Sequence, residues 1–209
     1  MFSGGDYADG CSTIVDVLNE HNVKAHFFFT GDFYRMKKEC VQKLINDNHY
    51  LGAHSDKHLL YASWENRDEL LITKDEFVED LSNNYKEMEK FGIEKDDALY
   101  FMPPYEWYNQ TIADWTNELG LQLISFTPGT RSNADYTIPS MGDRYVSSEE
   151  VYNSIINFEK ENMYGLNGFH LFLHAGTHPE RTDKFYNKLD KLLSELKTRD
   201  YQFKLLNEK

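Results

Sequence analysis

Two histidines, His54 and His58, stand four residues apart directly after the apolar run Tyr50–Ala53. Side chains at this spacing share one side of a helical turn or of a strand-end loop, so both imidazoles can reach one transition metal such as zinc. Histidines at this spacing are also common as ordinary core or solvent-facing residues, and the pair alone does not decide between the two. The residue after His54 is Ser55 rather than glutamate, which excludes the His-Glu-x-x-His helix of metalloproteases.

Other residues with useful chemistry also follow apolar, β-prone runs. They are Asp6, the segment Pro103–Glu106, Thr127 and His174. In a parallel barrel the carboxyl ends of the strands meet at one face, and that face carries the chemistry. Polar residues occupy loops everywhere, so it is the residue types, aspartate and histidine at the ends of apolar strands, that favour a functional site.

Strands and helices are predicted to alternate over almost the whole chain. The predicted strands cover residues 23–29, 50–54, 98–102, 121–126, 168–174 and 201–206, and the predicted helices cover 12–21, 33–46, 74–91, 110–119, 148–162 and 183–199. This alternation predicts a parallel α/β fold with six or seven strands, either a doubly wound open sheet or an incomplete (β/α) barrel. Because no Gly-x-Gly-x-x-Gly follows the first strand and no phosphate-loop lysine is present, a nucleotide-binding fold is disfavoured. The polar stretch 127–147 is too long for a simple connection and is predicted to be a functional loop.

Composition limits the classes of function further. A chain of 209 residues suits one domain, and a net charge of −13 argues against a nucleic-acid partner. No apolar run reaches the roughly 20 residues of a membrane span. The two cysteines, Cys11 and Cys40, predict neither a disulfide framework nor a metal knuckle. Since little room for a strand precedes Asp6, we expect the chain to begin inside an element and to lack upstream residues.

Three segments, taken in order along the chain, resemble the motifs of the polysaccharide deacetylases, the carbohydrate esterase family four. His54-Ser55-x-x-His58 is similar to that family's histidine motif, the Phe-Met-Pro-Pro-Tyr of residues 101–105 to its Arg-x-Pro-Tyr motif, and Leu173-His174 to its closing Leu-His motif. Residues 23–28 also resemble the family's second strand. The resemblance covers nearly the whole chain and implies an α/β fold, an incomplete (β/α) barrel of about seven parallel strands, formed by residues 1–209 as a single catalytic domain.

The resemblance also implies a reaction, the removal of acetyl groups from an N- or O-acetylated oligo- or polysaccharide. In the family a divalent metal polarises the acyl carbonyl and activates a water molecule, and the matching ligands here are Asp6, His54 and His58. Zinc is the expected metal, with cobalt or nickel as alternatives. A secreted or periplasmic location is implied by the same resemblance, with no nucleic-acid partner and no membrane span.

The remaining site residues are likewise expectations from the resemblance. His174 would protonate the leaving group, and the backbone N–H of Tyr105 would stabilise the oxyanion. Leu173 would line a pocket for the acetyl methyl group. Pro104 and Arg131 are further candidates for contact with the substrate, although a surface position is the ordinary alternative for an arginine.

Two departures from the family pattern place the general base in doubt. The family's base aspartate corresponds to Gly5, and the arginine that orients that aspartate corresponds to Met102. Their joint loss is consistent, because an arginine without its aspartate would be an unpaired charge in the site. Glu106 is the first candidate for a substitute base and Asp135 the second; an ordinary solvated carboxylate is the alternative for each.

Two further aspartates have possible roles in the site. Asp9 is an alternative to Asp6 as the metal ligand. Asp183 is a candidate to orient His174, but an acidic residue at a helix start needs no such role.

Two other classes of function stay open on the sequence alone. A non-catalytic carbohydrate-binding relic of the same barrel would explain the loss of the base and its arginine. A glycoside hydrolase with Glu106 as one of two catalytic carboxylates would act without a metal, but it leaves the two histidines unexplained.

Overall fold

A parallel sheet of six strands positions the site. The computed structural model describes residues 1–206, and its strands are Phe2–Gly4 (β1), His26–Phe29 (β2), Tyr50–Ala53 (β3), Tyr100–Phe101 (β4), Gln122–Leu123 (β5) and Leu173–His174 (β6). Their order across the sheet is β5-β4-β3-β2-β1-β6. All pairs are parallel, and the edge strands β5 and β6 do not pair within the described residues. The fold is therefore an incomplete (β/α) barrel, as predicted, with six strands.

Helices connect the strands and cover the outside of the sheet. Their bounds are Cys11–Glu20 (α1), Gly31–Met36 (α2), Lys38–Asn46 (α3), Lys74–Glu89 (α4), Gln110–Glu118 (α5), Ser148–Glu161 (α6) and Leu189–Thr198 (α7). Side-chain caps set several starts: Thr73 and Ser147 each form a capping box with the glutamate three residues later, at α4 and α6. None of the helices in the described residues has the length and apolarity that a membrane-spanning helix needs.

Alternation of side chains along the strands creates two apolar layers. In β2, Phe27 and Phe29 belong to the large core between the sheet and the helices, whereas Phe28 points to the opposite face. Phe28 packs there with Met102 and Phe172 in a small core inside the barrel. Met102, which we predicted to match the family's arginine, is thus a fully buried apolar residue.

Three sequence predictions about elements need correction. The predicted helix 33–46 is two helices, α2 and α3, because Lys37 leaves helical geometry with φ −114° and ψ 42°. The predicted strand 201–206 forms no strand in the described chain; instead, the N–H of Leu206 donates to Nε2 of His26 (3.0 Å). The start of the chain, for which the sequence suggested too little room for a strand, holds the short strand β1, which pairs with both β2 and β6.

A disulfide joins α1 to α3, which the sequence analysis did not foresee. Cys11 and Cys40 are bonded, with their Cα atoms 6.0 Å apart. The two residues are 29 positions apart in sequence, so only the packing of α1 beside α3 reveals that they meet.

Candidate active site

The carboxyl ends of the strands open into a cavity of about 710 Å³, a volume within the usual range of ligand sites. Six of the predicted site residues line it: Asp6, His54, His58, Tyr105, Glu106 and His174. The predicted substrate contacts lie elsewhere in this structure. Pro104 and Leu173 are buried beside the cavity, and Arg131 is exposed outside it. Several residues of the long loop 127–147, among them Asn133 and Tyr136, form part of the cavity wall.

The two histidines of the motif face each other. Nε2 of His54 lies 3.2 Å from Nε2 of His58, close to the roughly 3.3 Å expected between two nitrogens on one tetrahedral zinc. Nδ1 of His54 is 2.8 Å from the carbonyl oxygen of Met102. If Nδ1 carries the proton and donates it to that oxygen, the lone pair of Nε2 points at His58, as metal-bound histidines require.

Both imidazoles are held in the neutral form that binds metals. Burial, reinforced by the neighbouring His58, holds the pKa of His54 well below its ordinary value. Burial also lowers the pKa of His58 to about 4, and the nearby charge of Asp6 opposes this shift. The donor chemistry of the pair therefore fits a zinc-type ion.

Helix α4 and local hydrogen bonds fix the loop that carries the pair. The N–H of His54 donates to Oδ1 of Asn84 (2.9 Å), and the N–H of Lys57 donates to Oδ1 of Asp80 (3.0 Å). The N–H of His58 donates to Oγ of Ser55 (2.7 Å), which closes the turn between the two histidines. Ser55 and His58 both adopt positive φ, at 70° and 54°. Backbone in this region is retained at functional sites when surrounding contacts enforce it.

The third metal ligand is less well defined than the pair. Asp6 lines the cavity, but no group of three or more His, Cys, Asp or Glu side chains in residues 1–206 stands in a metal-binding arrangement. The alternative ligand, Asp9, is engaged elsewhere. Its carboxylate accepts from the N–H of Thr177 (2.8 Å) and the hydroxyl of Tyr186 (2.9 Å), and Nζ of Lys184 lies at 2.9 Å.

His174 forms a buried pair with Asp135. Nδ1 of His174 lies 2.5 Å from Oδ1 of Asp135, and the N–H of His174 donates to Oδ2 (2.9 Å). Burial disfavours the imidazolium, but the charge and hydrogen bond of Asp135 outweigh it and raise the pKa of His174. Asp135 thus orients His174, a role for which the sequence offered Asp183 as a candidate. Asp183 instead accepts from the N–H of Ser148 (2.6 Å) at the start of α6.

Glu106 is the cavity carboxylate nearest to the histidine pair. Its Oε1 lies 4.0 Å from Nε2 of His54, and only 11% of its side chain is exposed. Burial raises the pKa of Glu106 to about 7, and the charge of Asp135 adds to the effect of burial. Tyr105 and Glu106 both have positive φ, at 59° and 52°, a rare conformation for two successive non-glycine residues.

Gly5 leaves room in the cavity wall. A Cβ added there would meet nothing closer than Cγ2 of Thr30, at 3.8 Å. Gly5, which we predicted to stand at the position of the family's base aspartate, therefore has open space beside it. Glu106 is the buried carboxylate beside His54.

Comparison with known proteins agrees with the motifs. The family model described as "Polysaccharide deacetylase" matches residues 2–124. The peptidoglycan-N-acetylmuramic acid deacetylase PdaA of Bacillus subtilis is 28% identical over 111 residues, which are 53% of this chain and 39% of that protein. The chain thus matches about two fifths of that relative's length.

Solved structures share the fold over the whole chain. The Bc1960 peptidoglycan N-acetylglucosamine deacetylase superposes with a TM-score of 0.73 at 20% identity, over 98% of this chain and 83% of that one. A CE4 family pseudoenzyme from Bacillus anthracis superposes with a TM-score of 0.69 at 15% identity, over 97% of this chain and 62% of that one. Both an enzyme and a pseudoenzyme are therefore built on this fold.

Proposed function

The chain belongs to the polysaccharide deacetylase family, and we propose that it is a metal-dependent hydrolase that removes acetyl groups from an N- or O-acetylated carbohydrate. The observation that carries this proposal is that the facing pair His54 and His58 borders one cavity with His174, whose ring is held from behind by the buried Asp135. The facing pair has the donor chemistry of a metal site, and His174 has that of a proton donor held by a carboxylate.

Asp6, His54 and His58 would hold the metal, zinc in the first instance and cobalt or nickel as alternatives. Such an ion supplies a Lewis acid that polarises an acyl carbonyl and lowers the pKa of water. Asp6 is proposed as the third ligand because it lines the same cavity as the pair and its charge acts on His58.

His174 would donate a proton from Nε2 to the departing amine or alcohol oxygen. Asp135 supports this role because its carboxylate accepts a hydrogen bond from Nδ1–H of His174 and its charge favours the imidazolium. The backbone N–H of Tyr105 would stabilise the oxyanion, in a segment whose positive φ fixes the direction of the peptide.

Glu106 would take the place of the missing base. A general base works best when its pKa lies near the working pH, and burial places the pKa of Glu106 at about 7. Its position beside His54 supports this role, because a water molecule next to the proposed metal could give its proton to Glu106 and attack the acyl carbonyl. Leu173, Pro104 and Arg131 remain predictions for the substrate side of the site.

The substrate that we propose is a polymer of N-acetylated hexosamine. This choice rests on the names of the relatives, which act on N-acetylglucosamine and N-acetylmuramic acid in peptidoglycan. A second candidate function, a non-catalytic carbohydrate-binding module, is favoured by the open position at Gly5, by the apolar Met102 and by the pseudoenzyme on the same fold.

Acetate release from an N-acetylglucosamine tetramer by the zinc-loaded protein separates the two functions. We expect measurable release that falls on the order of 100-fold or more in Glu106→Gln, while Glu79→Gln, an exposed carboxylate of α4, leaves it unchanged. Because Gly5 has room for a side chain, Gly5→Asp should partly restore activity to Glu106→Gln. If no acetylated oligomer yields acetate, the chain is a binding module.

A further inference from the structure

A row of aromatic rings leads from the histidine pair to the cavity rim. The ring of His58 packs on Tyr105 with centroids 4.3 Å apart, Tyr105 packs on Trp64 at 5.4 Å, and Trp64 packs on Trp107 at 5.3 Å. Trp64 and Tyr105 line the cavity, yet they are 56% and 45% exposed. Neighbouring exposed rings at the rim of a cavity form a contiguous apolar patch, and such patches are typical of ligand-binding grooves.

Contacts behind Trp64 hold this surface in place. Nε1 of Trp107 donates to the carbonyl oxygen of Ser63 (3.2 Å), next to Trp64. The guanidinium of Arg67 lies 4.2 Å from the centroid of Trp107 and stacks on it, and Nδ2 of Asn109 donates to the carbonyl oxygen of Arg67 (3.0 Å). The segment that carries Trp64, residues 63–67, is therefore hydrogen-bonded to the segment 107–109. Little further ordering of Trp64 would be needed when a ligand binds.

The net charge of the chain, −13, disfavours an anionic ligand at the rim. Two cations line the cavity: Lys57 is paired with Asp32 at 2.6 Å, and Arg144 belongs to the loop 127–147. A flat π-face suits a pyranose ring, whose C–H face is apolar and whose hydroxyl groups point outward to water.

We propose that Trp64, together with Tyr105, is a stacking platform for the sugar ring next to the acetylated residue, so that the protein binds chains of N-acetylhexosamine in preference to a single sugar. The inference rests on the proposed function, because it places the acetylated residue beside His58 and His174. Its own content is a binding site at the rim that selects for chain length.

Calorimetric titration with N-acetylglucosamine and with its tetramer tests this platform. Both titrations contain a chelator, so that binding is measured without metal-dependent turnover. We expect the wild-type protein to bind the tetramer more tightly than the monomer, and Trp64→Ala to reduce this ratio of affinities roughly five- to tenfold. Trp64→Phe should retain most of the ratio, and Tyr164→Ala, an exposed aromatic outside the cavity, should retain all of it.

Tryptophan fluorescence gives a second readout on the same samples. Tetramer binding should shift the emission of the wild-type protein to shorter wavelength, and Trp64→Phe should lose that shift while keeping the affinity. Equal affinities for monomer and tetramer, or a ratio that Trp64→Ala leaves unchanged, would overturn the inference. Because these titrations measure no turnover, they test the platform separately from the proposed function. Tetramer binding that depends on Trp64, without acetate release, would support the platform and contradict the hydrolase. Acetate release with no effect of Trp64→Ala on the affinity ratio would support the hydrolase and contradict the platform.

Discussion

The behaviour of His174 depends on one neighbour, Asp135. The carboxylate is 2% exposed and bonds both Nδ1 and the backbone N–H of His174. It therefore fixes the orientation of the ring as well as its charge. Glu106, in the same cavity, adds a smaller attraction for the imidazolium.

Replacing Asp135 with asparagine keeps the shape of this pair and removes its charge. We expect Asp135→Asn to lower the pKa of His174, because the charge and hydrogen bond that raise it are lost. Acetate release should fall on the order of 100-fold. The proposed role of His174 requires the protonated ring. As the pH rises, the residual activity of Asp135→Asn should therefore begin to fall at a lower pH than the activity of the wild-type protein does.

The pH profile of activity and the imidazole resonances of His174 by NMR measure both effects. Asp183→Asn is the matched control, because that carboxylate binds the start of α6 rather than His174. A variant Asp135→Asn with an unchanged His174 pKa would contradict this role.

At the scale of single residues, the sequence predicted a pair whose members lie in one short segment, but not the pairs whose members are far apart along the chain. The pairing of His54 with His58 follows from four-residue spacing, and both line the cavity with His174. The partner of His174 is 39 positions away, so the sequence suggested the nearer Asp183 for this role and Asp135 only as a candidate base. Cys11 and Cys40 were missed for the same reason.

At the scale of elements, α4 positions the loop that carries the proposed metal ligands His54 and His58 more than it contributes to the cavity. Asn84 and Asp80 lie one turn apart on its buried face and accept from the N–H groups of His54 and Lys57. Asp80 also accepts from the hydroxyl of Tyr61 (2.6 Å). The apolar pattern of this helix predicted its place in the core, but not these two polar contacts.

Removing Asn84 should loosen that loop. Asn84→Ala removes one of the two acceptors of the His54 N–H, which also donates to the carbonyl oxygen of Phe29 (3.1 Å). We expect a loss of about 0.5–1.5 kcal/mol in the free energy of unfolding, together with weaker zinc binding. Asn83→Ala, a less buried neighbour on the same helix, should change neither by much. Denaturant unfolding and zinc calorimetry measure the two effects, and an Asn84→Ala protein with wild-type stability would contradict the account.

The sequence predicted the positions of the strands better than their lengths. Each observed strand after β1 lies inside a predicted one, but β4, β5 and β6 are only two residues long. Apolar runs extend past the hydrogen-bonded part of a strand because the residues beyond it still pack in the core. Ile124 and Phe172 are examples, since both belong to the small core inside the barrel.

At the scale of the whole molecule, the barrel stays open between β5 and β6. Side-chain and backbone bonds link the neighbouring segments across this gap: the N–H of Thr127 donates to the carbonyl oxygen of His170 (3.1 Å), and the N–H of His170 donates to Oγ1 of Thr127 (3.0 Å). Hydropathy patterns cannot predict which strands close a barrel, because an edge strand and a paired strand bury similar side chains.

The disulfide is a major contribution to the stability of this open barrel. It closes a loop across 29 positions, for which chain entropy predicts about 3–4 kcal/mol of stabilisation. We expect the double variant Cys11→Ala/Cys40→Ala to lose about that much unfolding free energy in denaturant, and reduction of the wild-type protein to do the same. A denaturation midpoint that a reductant leaves unchanged would contradict this.

Acid should destabilise the molecule through His26. Burial lowers the pKa of His26 to about 3, and its Nε2 accepts from the N–H of Leu206 (3.0 Å), which requires the neutral ring. The preference for the neutral ring stabilises the fold above the unfolded value near pH 6.5. This stability is lost as the pH falls from there towards about 3, by about 1.4 kcal/mol per pH unit. Unfolding free energies measured between pH 6.5 and 4 should therefore fall less steeply in His26→Gln, and equal slopes would contradict the assignment.

We propose that His54 and His58 together hold a divalent metal, and zinc calorimetry on chelator-stripped protein tests this most directly. We predict one zinc per chain, an affinity reduced at least 100-fold in His54→Ala and also reduced in Asp6→Ala. His178→Ala, a cavity histidine outside the pair, should bind as the wild-type protein does. Zinc binding that survives His54→Ala unchanged, or a wild-type protein that binds no zinc, would contradict the claim.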